Sequence, residues 1–250
     1  MCILHCFFNH IDLRKIITYI QAFLIVLWTA FCGLLGLLLL LLTWNQIWVM
    51  KIMSHYIWST VICLVSGVRV QATGLENIDR RGSYIYVANH SSLFDIVAVC
   101  RASNVPMFYI AKKELKKIPI MGHFMTAVGM IFVDRKDRES AMKSMRMAGE
   151  KIRGGKNVIA FPEGTRSKDG NVQVFKRGSF VIAKESRVGV SPIAIKNAIN
   201  ILRSGSSDLR SGTILVHFEK PIQPETFASK SEEEIANICR DIIVNRISQM

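Results

Sequence analysis

The sequence predicts an α/β fold, in which a mixed, mostly parallel sheet is flanked by helices and preceded by an N-terminal membrane-anchoring helical segment. Three observations predict it. A long apolar stretch without charged residues comes first, short apolar runs bounded by turn residues follow it, and helical patterns separate several of those runs. Strands that alternate with helices are typical of a sheet covered by helices. With 250 residues, the chain is long enough for one sizeable domain.

Apolar and basic residues are concentrated in different parts of the chain. Half of the residues are hydrophobic, the mean hydropathy is +0.28 and the net charge is +13. Asp12, Arg14, Lys15 and Lys51 are the only charged residues among the first 67, whereas residues 112–187 hold 18 basic and 8 acidic residues. Such an excess indicates an anionic partner. Because no nucleic-acid-binding motif is visible, we expect anionic lipid headgroups or a phosphate-bearing substrate, and no nucleic acid.

The first predicted element is a membrane helix. Residues 16–50 contain no Asp, Glu, Lys or Arg, and about 20 apolar residues suffice for a helix to cross a bilayer core. The apolar run is longer than that of a cleavable signal peptide, so we expect an uncleaved anchor in residues 1–67. Residues 44–65 are less apolar and rich in aromatic residues that favour the membrane interface. Either one helix spans the membrane and the second lies on its surface, or both form a hairpin within one leaflet.

The remaining residues, 68–250, are expected to form one globular domain. Strands are predicted at residues 68–72, 84–88, 107–111, 130–133, 158–161, 191–195 and 214–218. Helices are predicted at residues 139–153 and 179–185, and a capping-box pattern that starts at Ser231 opens a third helix that continues to the C-terminus. The six cysteines lack the spacing of a metal site, so we expect reduced thiols and no metal.

A motif with reactive side chains follows the second predicted strand and reads Asn89-His90-Ser91-Ser92-Leu93-Phe94-Asp95. A carboxylate that holds one imidazole nitrogen fixes the tautomer and supports the imidazolium, so that the other nitrogen can take a proton from an alcohol. We therefore predict that His90 is a general base and that Asp95 orients it. The two serines are predicted to cap a helix rather than to act as nucleophiles, because no G-x-S-x-G elbow is present.

Three further predicted strands are followed by cations. Lys112 follows residues 107–111 and Arg135 follows residues 130–133. Arg166 lies after residues 158–161, in the turn Phe161-Pro162-Glu163-Gly164-Thr165-Arg166-Ser167. Because parallel strands present their carboxyl ends at one edge of a sheet, these cations and His90 are expected to meet in one cleft that holds a phosphate beside the base. In the same turn, the carboxylate can accept a hydroxyl hydrogen bond and the glycine lets the backbone approach a ligand.

Four motifs, in this order, resemble those of the 1-acyl-glycerol-3-phosphate acyltransferases, which belong to the glycerolipid acyltransferase family. They are Asn89 to Asp95, Gly129 to Arg135, Phe161 to Ser167 and Val190 to Ile193. The resemblance implies that His90 and Asp95 are catalytic. It also implies that the second and third motifs bind the phosphate and glycerol of the substrate, through Arg135, Glu163, Gly164, Thr165 and Arg166. Lys112 is expected to be a further phosphate ligand. The family more usually has Gln where this chain has Ser91, which bears on substrate preference rather than on the chemistry.

The activity that the resemblance implies is transfer of a fatty acyl group from acyl-CoA or acyl-ACP to the sn-2 hydroxyl of lysophosphatidic acid, giving phosphatidic acid. A thioester is already activated, so no cofactor is expected. The expected partners are membrane lipids, lysophosphatidic acid and the acyl carrier. The expected location is a bacterial inner membrane, with the catalytic domain on the cytoplasmic side. Two alternatives stay open: another acceptor, such as glycerol-3-phosphate, a lysophospholipid or a lyso-ornithine lipid, and a non-catalytic lipid-binding protein.

Overall fold

A computed structural model describes residues 13–80, 83–134 and 136–250. The first twelve residues of the predicted anchor, with Cys2 and Cys6, therefore lie outside the described residues, and so does Arg135. The strands are β1 Val68–Thr73, β2 Ile85–Ala88, β3 Met107–Lys112, β4 Ile131–Val133, β5 Asn157–Ala160, β6 Val190–Lys196 and β7 Gly212–Phe218. The helices are α1 Leu13–Thr43, α2 Gln46–Ser66, α3 Phe94–Ala102, α4 Met121–Val128, α5 Arg138–Arg153, α6 Gly178–Ser186, α7 Ala198–Ile201, α8 Pro224–Phe227 and α9 Glu232–Gln249. Helical turns of the 3-10 type lie at Leu75–Asn77 and Lys113–Lys117.

The predicted fold class is confirmed, because within the described residues seven strands form one mixed sheet in the order β1-β7-β6-β2-β5-β3-β4. The first and last residues of each strand lie within two residues of the predicted ones. The three predicted helices correspond to α5, α6 and α9. The capping box at the start of α9 is present, with the Ser231 hydroxyl accepting a hydrogen bond from the Glu234 backbone N–H at 3.2 Å.

The sheet brings the strand ends with reactive residues to one edge. Strands β2, β3, β4, β5 and β6 are parallel, so their carboxyl ends point the same way. The connection from β6 to β7 contains only the short helix α7, and β7 therefore returns antiparallel to β6. Strand β1 then pairs parallel to β7 at the edge of the sheet. Consequently β2, which precedes the predicted base, lies in the middle of the sheet between β5 and β6.

The central strands are buried on both faces, as is typical of parallel sheets. On β2, Ile85 and Val87 pack in one core cluster, together with residues of α5, α6 and α9. The alternating Tyr86 and Ala88 pack in a second cluster on the opposite face, together with residues of α3. All four side chains of β2 have no solvent exposure. A strand held on both sides in this way fixes the position of the loop that follows it.

Helices α1 and α2 form a hairpin that packs against the globular part of the chain. Both are long and apolar enough to cross a membrane, by length and composition. Two glycines of α1 allow close packing on α4: a Cβ at Gly33 would lie 2.8 Å from Ile120, and one at Gly36 would overlap the Phe124 ring. At the start of α2, the Gln46 side chain donates a hydrogen bond to the backbone carbonyl of Ala127 at 2.8 Å. The outer face of α1 stays exposed, with Tyr19, Phe23, Val26, Leu41 and Leu42 each more than 60% exposed.

Candidate active site

The loop after β2 is fixed by hydrogen bonds to β6 on one side and to the turn after β5 on the other. The side-chain amide of Asn89 donates to the backbone carbonyl of Ile195 and accepts from its N–H, both at 2.8 Å, which joins the end of β2 to β6. On the other side, the Ser167 N–H donates to the carbonyl of His90 at 2.8 Å. Hydrogen bonds on both sides thus fix the backbone around residue 90, independently of the contacts of its side chain.

His90 and Asp95 form the pair that the sequence predicts. Nδ1 of the imidazole lies 2.8 Å from Oδ2 of the carboxylate, which is completely buried in the first turn of α3. The same oxygen accepts the backbone N–H groups of Ser91 at 2.7 Å and Ser92 at 2.8 Å. Because a carboxylate only accepts, Nδ1 carries the proton in this arrangement and Nε2 is left with its lone pair. The His90 side chain is 14% exposed, so a proton donor can approach it.

The imidazole is also held by an aromatic ring. The His90 ring stacks on Phe161, with ring centroids 4.1 Å apart and planes inclined by 20°. Phe161 in turn lies against Tyr109, with centroids 6.4 Å apart. The carboxylate and the stacking ring together restrict the two side-chain torsions of His90. A base held in one orientation loses little entropy when it reaches the transition state.

Ser92 has the predicted role at the start of α3, whereas no hydrogen bond of the Ser91 hydroxyl among the described residues supports the same prediction for Ser91. The Ser92 hydroxyl donates to the carbonyl of Leu202 at 2.7 Å and accepts the N–H of Phe94 at 3.2 Å, near the start of α3. Ser91 is 5% exposed. A hydroxyl already engaged with the backbone in this way is poorly placed to be a nucleophile.

Glu163 contacts the backbone of the predicted base. Its Oε1 accepts the His90 N–H at 2.8 Å, and the residue is only 4% exposed. Burial raises the pKa of the carboxyl group to about 7, although the His90 N–H favours its charged form. The other oxygen, Oε2, is buried and has no hydrogen-bond partner among the described residues. Contact between Glu163 and the glycerol of a substrate stays a prediction.

The described residues among the other predicted ligands lie at or after the carboxyl ends of β3 and β5. Lys112 ends β3, and its ammonium group pairs with Glu114 at 3.3 Å, with both side chains 55% exposed. Thr165 is exposed, and Arg166 is half-buried without a hydrogen bond or ion pair to any described residue. Gly164 has a φ of +78°, a left-handed conformation that favours glycine. The prediction for Arg135 concerns a residue outside the described ranges.

Lys176, which none of the sequence motifs contains, lies against the turn after β5. The ammonium nitrogen of Lys176 would be 3.0 Å from a Cβ placed on Gly164. Lys176 and Arg177 precede α6 and line an open pocket of about 470 Å³ between α5, α6 and the carboxyl ends of β3 to β5, here called the α5–α6 pocket. Its wall includes Phe161, the ring that stacks on His90. The basic pair next to the helix-opening Gly178 was the available signal in the sequence.

The described residues contain no cluster of three or more His, Cys, Asp or Glu side chains that could hold a metal ion. Within the same part of the chain, Cys32, Cys63, Cys100 and Cys239 are buried and unpaired. Burial raises the pKa of the Cys239 thiol to about 12, so it is protonated and unreactive at neutral pH.

Comparison with known proteins agrees with this geometry. The family model described as Acyltransferase matches residues 69–196, which is half of the chain and includes both members of the His90–Asp95 pair. This chain belongs to the acyltransferase family. Its fold is also that of a crystal structure of the 1-acyl-sn-glycerophosphate (LPA) acyltransferase PlsC from Thermotoga maritima, with a TM-score of 0.79 and 29% identity, over 95% of this chain and 94% of that one.

Two relatives of this acyltransferase extend the similarity beyond the matched domain. A 1-acyl-sn-glycerol-3-phosphate acyltransferase from Saccharomyces cerevisiae is 29% identical over 94% of this chain and 79% of its own length. The protein of the same name from Limnanthes alba is 30% identical over 90% of this chain and 80% of its own length. Alignments of this extent include much of the α1–α2 hairpin as well as the catalytic domain of the acyltransferase.

Proposed function

We propose that this acyltransferase transfers a fatty acyl group from a thioester of coenzyme A or acyl carrier protein to the sn-2 hydroxyl of lysophosphatidic acid. The observation that carries the proposal is the 2.8 Å contact between His90 Nδ1 and Asp95 Oδ2, in a chain of the acyltransferase family. The names of its relatives support the choice of acceptor. The product is phosphatidic acid.

In the proposed reaction, Nε2 of His90 accepts the hydroxyl proton while the hydroxyl oxygen attacks the thioester carbonyl carbon. The tetrahedral intermediate then collapses, the carbon–sulfur bond breaks, and the imidazolium returns the proton to the leaving sulfur. Asp95 stabilises the imidazolium that exists between the two steps, because its charge is buried beside Nδ1. No redox step or external proton source is required.

The phosphate of the acceptor is proposed to be held by the cations that follow three predicted strands in the sequence, Lys112, Arg135 and Arg166. Arg166 lies three residues after Glu163, whose carboxylate bonds to the His90 backbone. A phosphate bound beside that turn would place the neighbouring hydroxyl near the base, which removes most of the entropy cost of bringing them together. Gly164 and Thr165 complete the turn that faces the substrate.

We also propose that the α1–α2 hairpin lies within one leaflet. Arg14 at the start of α1 pairs with Asp208 at 3.3 Å, and Gly33 and Gly36 nearer its end lie against Ile120 and the Phe124 ring. Because α1 contacts the globular domain near both of its ends, a spanning helix would carry that domain into the bilayer. A membrane-impermeant thiol reagent should therefore label Leu13→Cys, at the start of α1, from the same side as Lys220→Cys in the globular domain. Labelling from opposite sides would contradict the arrangement and indicate a spanning helix.

A matrix of donors and acceptors tests the proposed activity. Membranes that contain the full chain are supplied with acyl-CoA or acyl-ACP and with lysophosphatidic acid, glycerol-3-phosphate, a lysophospholipid or a lyso-ornithine lipid. We expect phosphatidic acid to form fastest, and we expect no transfer by His90→Ala membranes. Faster transfer to one of the other acceptors would overturn the substrate assignment, and binding of lysophosphatidic acid without any thioester consumption would overturn the enzymatic one.

A further inference from the structure

We propose that the α5–α6 pocket binds the acceptor lipid, with the phosphate on Lys176 and the single acyl chain against Met142, Met145 and Val181. The inference rests on the acyl transfer to lysophosphatidic acid proposed above, and it gives that acceptor a specific place. It adds a phosphate ligand that none of the four sequence motifs contains, and it assigns a role to the apolar wall between α5 and α6.

The first support is the short path from Lys176 to the base. The ammonium nitrogen would be 3.0 Å from a Cβ on Gly164, and the neighbouring Glu163 accepts the His90 N–H at 2.8 Å. This turn follows β5, which pairs directly with β2. Adjacent strands are about 4.8 Å apart, so Lys112 at the end of β3, two strands from β2, is about 10 Å away across the sheet. Lys176 thus lies against the turn whose Glu163 is bonded to the predicted base.

The second support is the charge of the pocket. Lys176 and Arg177 are exposed on its wall, and none of the described residues that line it is acidic. The Lys176 ammonium group has no hydrogen bond or ion pair to any residue in the described part of the chain. The N-terminus of α6 begins at Gly178 on the same wall, and its free backbone N–H groups favour an anion. A cation without a protein partner beside a helix N-terminus is available for a phosphate.

The third support is the apolar part of the same pocket. Met142 and Met145 of α5 and Val181 of α6 are only partly buried and face this space. Flexible methionine side chains adapt well to an alkyl chain. A free phosphate would gain nothing from such a wall, whereas a lipid with one anionic group and one chain matches both parts of the pocket.

The chemistry of the two substrates favours the acceptor over the donor. In lysophosphatidic acid, the carbons that carry the acyl ester and the phosphate both adjoin the carbon of the reacting hydroxyl. In an acyl thioester, the chain begins at the reacting carbon, and the phosphate groups lie at the far end of the pantetheine arm. A cation and an apolar wall that share one pocket beside the base therefore match the acceptor. Phe161, which contacts both His90 and the pocket, marks the junction.

The phosphate assignment is tested with Lys176→Met. Lys220→Met is the matched control, because this exposed lysine follows β7, which runs antiparallel to β6 and therefore ends away from the carboxyl ends of the parallel strands. In the full chain, we expect Lys176→Met to raise the KM for lysophosphatidic acid about tenfold or more, since a charge-assisted hydrogen bond is lost. The KM for the acyl donor, and the rate with monoacylglycerol, which has no phosphate, should match those of the control. An unchanged KM for lysophosphatidic acid, or a raised KM for the donor, would overturn the assignment.

The apolar wall is tested with Ala141→Phe, which places a ring in the pocket, and with Met147→Phe on the exposed side of α5 as the control. We expect Ala141→Phe to lower activity with long-chain lysophosphatidic acid and to spare a six-carbon acceptor, at equal donor chain length. Equal losses for both acceptors, or a loss that follows the donor chain, would reject this occupant. If the wild-type chain does not acylate lysophosphatidic acid at all, the proposed function is wrong. If the wild-type chain is active and only the variants differ from expectation, the pocket assignment alone is wrong.

A second measurement covers the case in which Lys176→Met does not fold. Lysophosphatidic acid should protect Lys176 of the wild-type chain from an amine-acetylating reagent, as measured by mass spectrometry, whereas Lys220 should react equally with and without the lipid. Monoacylglycerol should protect less. Equal acetylation of Lys176 in all three conditions would overturn the proposal.

Discussion

The buried carboxyl group of Glu163 makes the stability of this acyltransferase depend on pH in a defined direction. Burial raises its pKa from an ordinary value of 4.5 to about 7, and the hydrogen bond from the His90 N–H only partly opposes that rise. Glu163→Gln keeps an oxygen that can accept the same N–H and removes the titration. The difference between the two chains therefore isolates the contribution of one carboxyl group.

The magnitude follows from the shift in pKa. Because each pKa unit corresponds to about 1.36 kcal/mol, a rise from 4.5 to about 7 corresponds to about 3 kcal/mol of unfolding free energy. The folded chain holds this proton more tightly than the unfolded chain does. The stabilisation is fully present below pH 4.5 and is lost as the pH rises through about 7. At 4% exposure, solvent does little to weaken the effect.

The assay is thermal unfolding of the purified full chain in detergent, followed by tryptophan fluorescence between about pH 4.5 and about pH 8.5. For a chain of this size, 3 kcal/mol corresponds to a Tm change of about 6–12 °C. We expect the Tm of the wild type to fall by about that much relative to Glu163→Gln as the pH rises. Tm curves that stay parallel over the whole range would refute the reasoning, because Glu163 would then not be a buried carboxyl group with a raised pKa.

Three further substitutions test other parts of the site and fold. Asp95→Asn should lower kcat about 10²–10⁴-fold in steady-state assays, because the imidazolium loses its buried counter-charge, and a wild-type kcat would contradict the role of the pair. Arg166→Ala should raise the KM for lysophosphatidic acid about tenfold with little change in kcat, and an unchanged KM would reject it as a phosphate ligand. Gly36→Leu should destabilise the hairpin by about 1–3 kcal/mol, seen as a lower Tm and faster proteolysis, because its side chain must displace Phe124. Gly154→Ala, where a Cβ has room at an ordinary φ, is the control, and equal Tm values for both variants would contradict the close packing.

Local patterns were sufficient to predict all seven strands and three helices of the globular domain, but not the short helices α3, α4, α7 and α8, which have nine residues or fewer. Each strand is a short apolar run between turn residues, and α9 follows a capping box that residues 231–234 determine. The strand order was not predictable in the same way. It depends on pairings between distant residues, such as Ile85 with Val190 and Val68 with Gly212, which no local pattern encodes. The packing of α1 could not be predicted from local sequence either, because the need for a glycine at residue 36 depends on the Phe124 ring opposite it.

In the candidate site too, contacts between residues close in sequence could be predicted, and contacts between distant residues could not. The contact between His90 and Asp95 spans five residues, so its geometry could be inferred from a strand-to-helix turn. The bond from the His90 N–H to Glu163 joins residues 73 positions apart, and only the pairing of β2 with β5 brings them together. Lys176 was missed for the same reason, since the loop that returns it to Gly164 has no regular pattern from which its path could be inferred.

The central claim is that His90 is the general base, and kinetics of His90→Ala with lysophosphatidic acid and a thioester donor test it most directly. We expect kcat/KM to fall about 10²–10⁴-fold, or about 3–5 kcal/mol of transition-state stabilisation, with wild-type Tm and wild-type sedimentation with membranes. Turnover near that of the wild type by this folded, membrane-bound variant would contradict the claim.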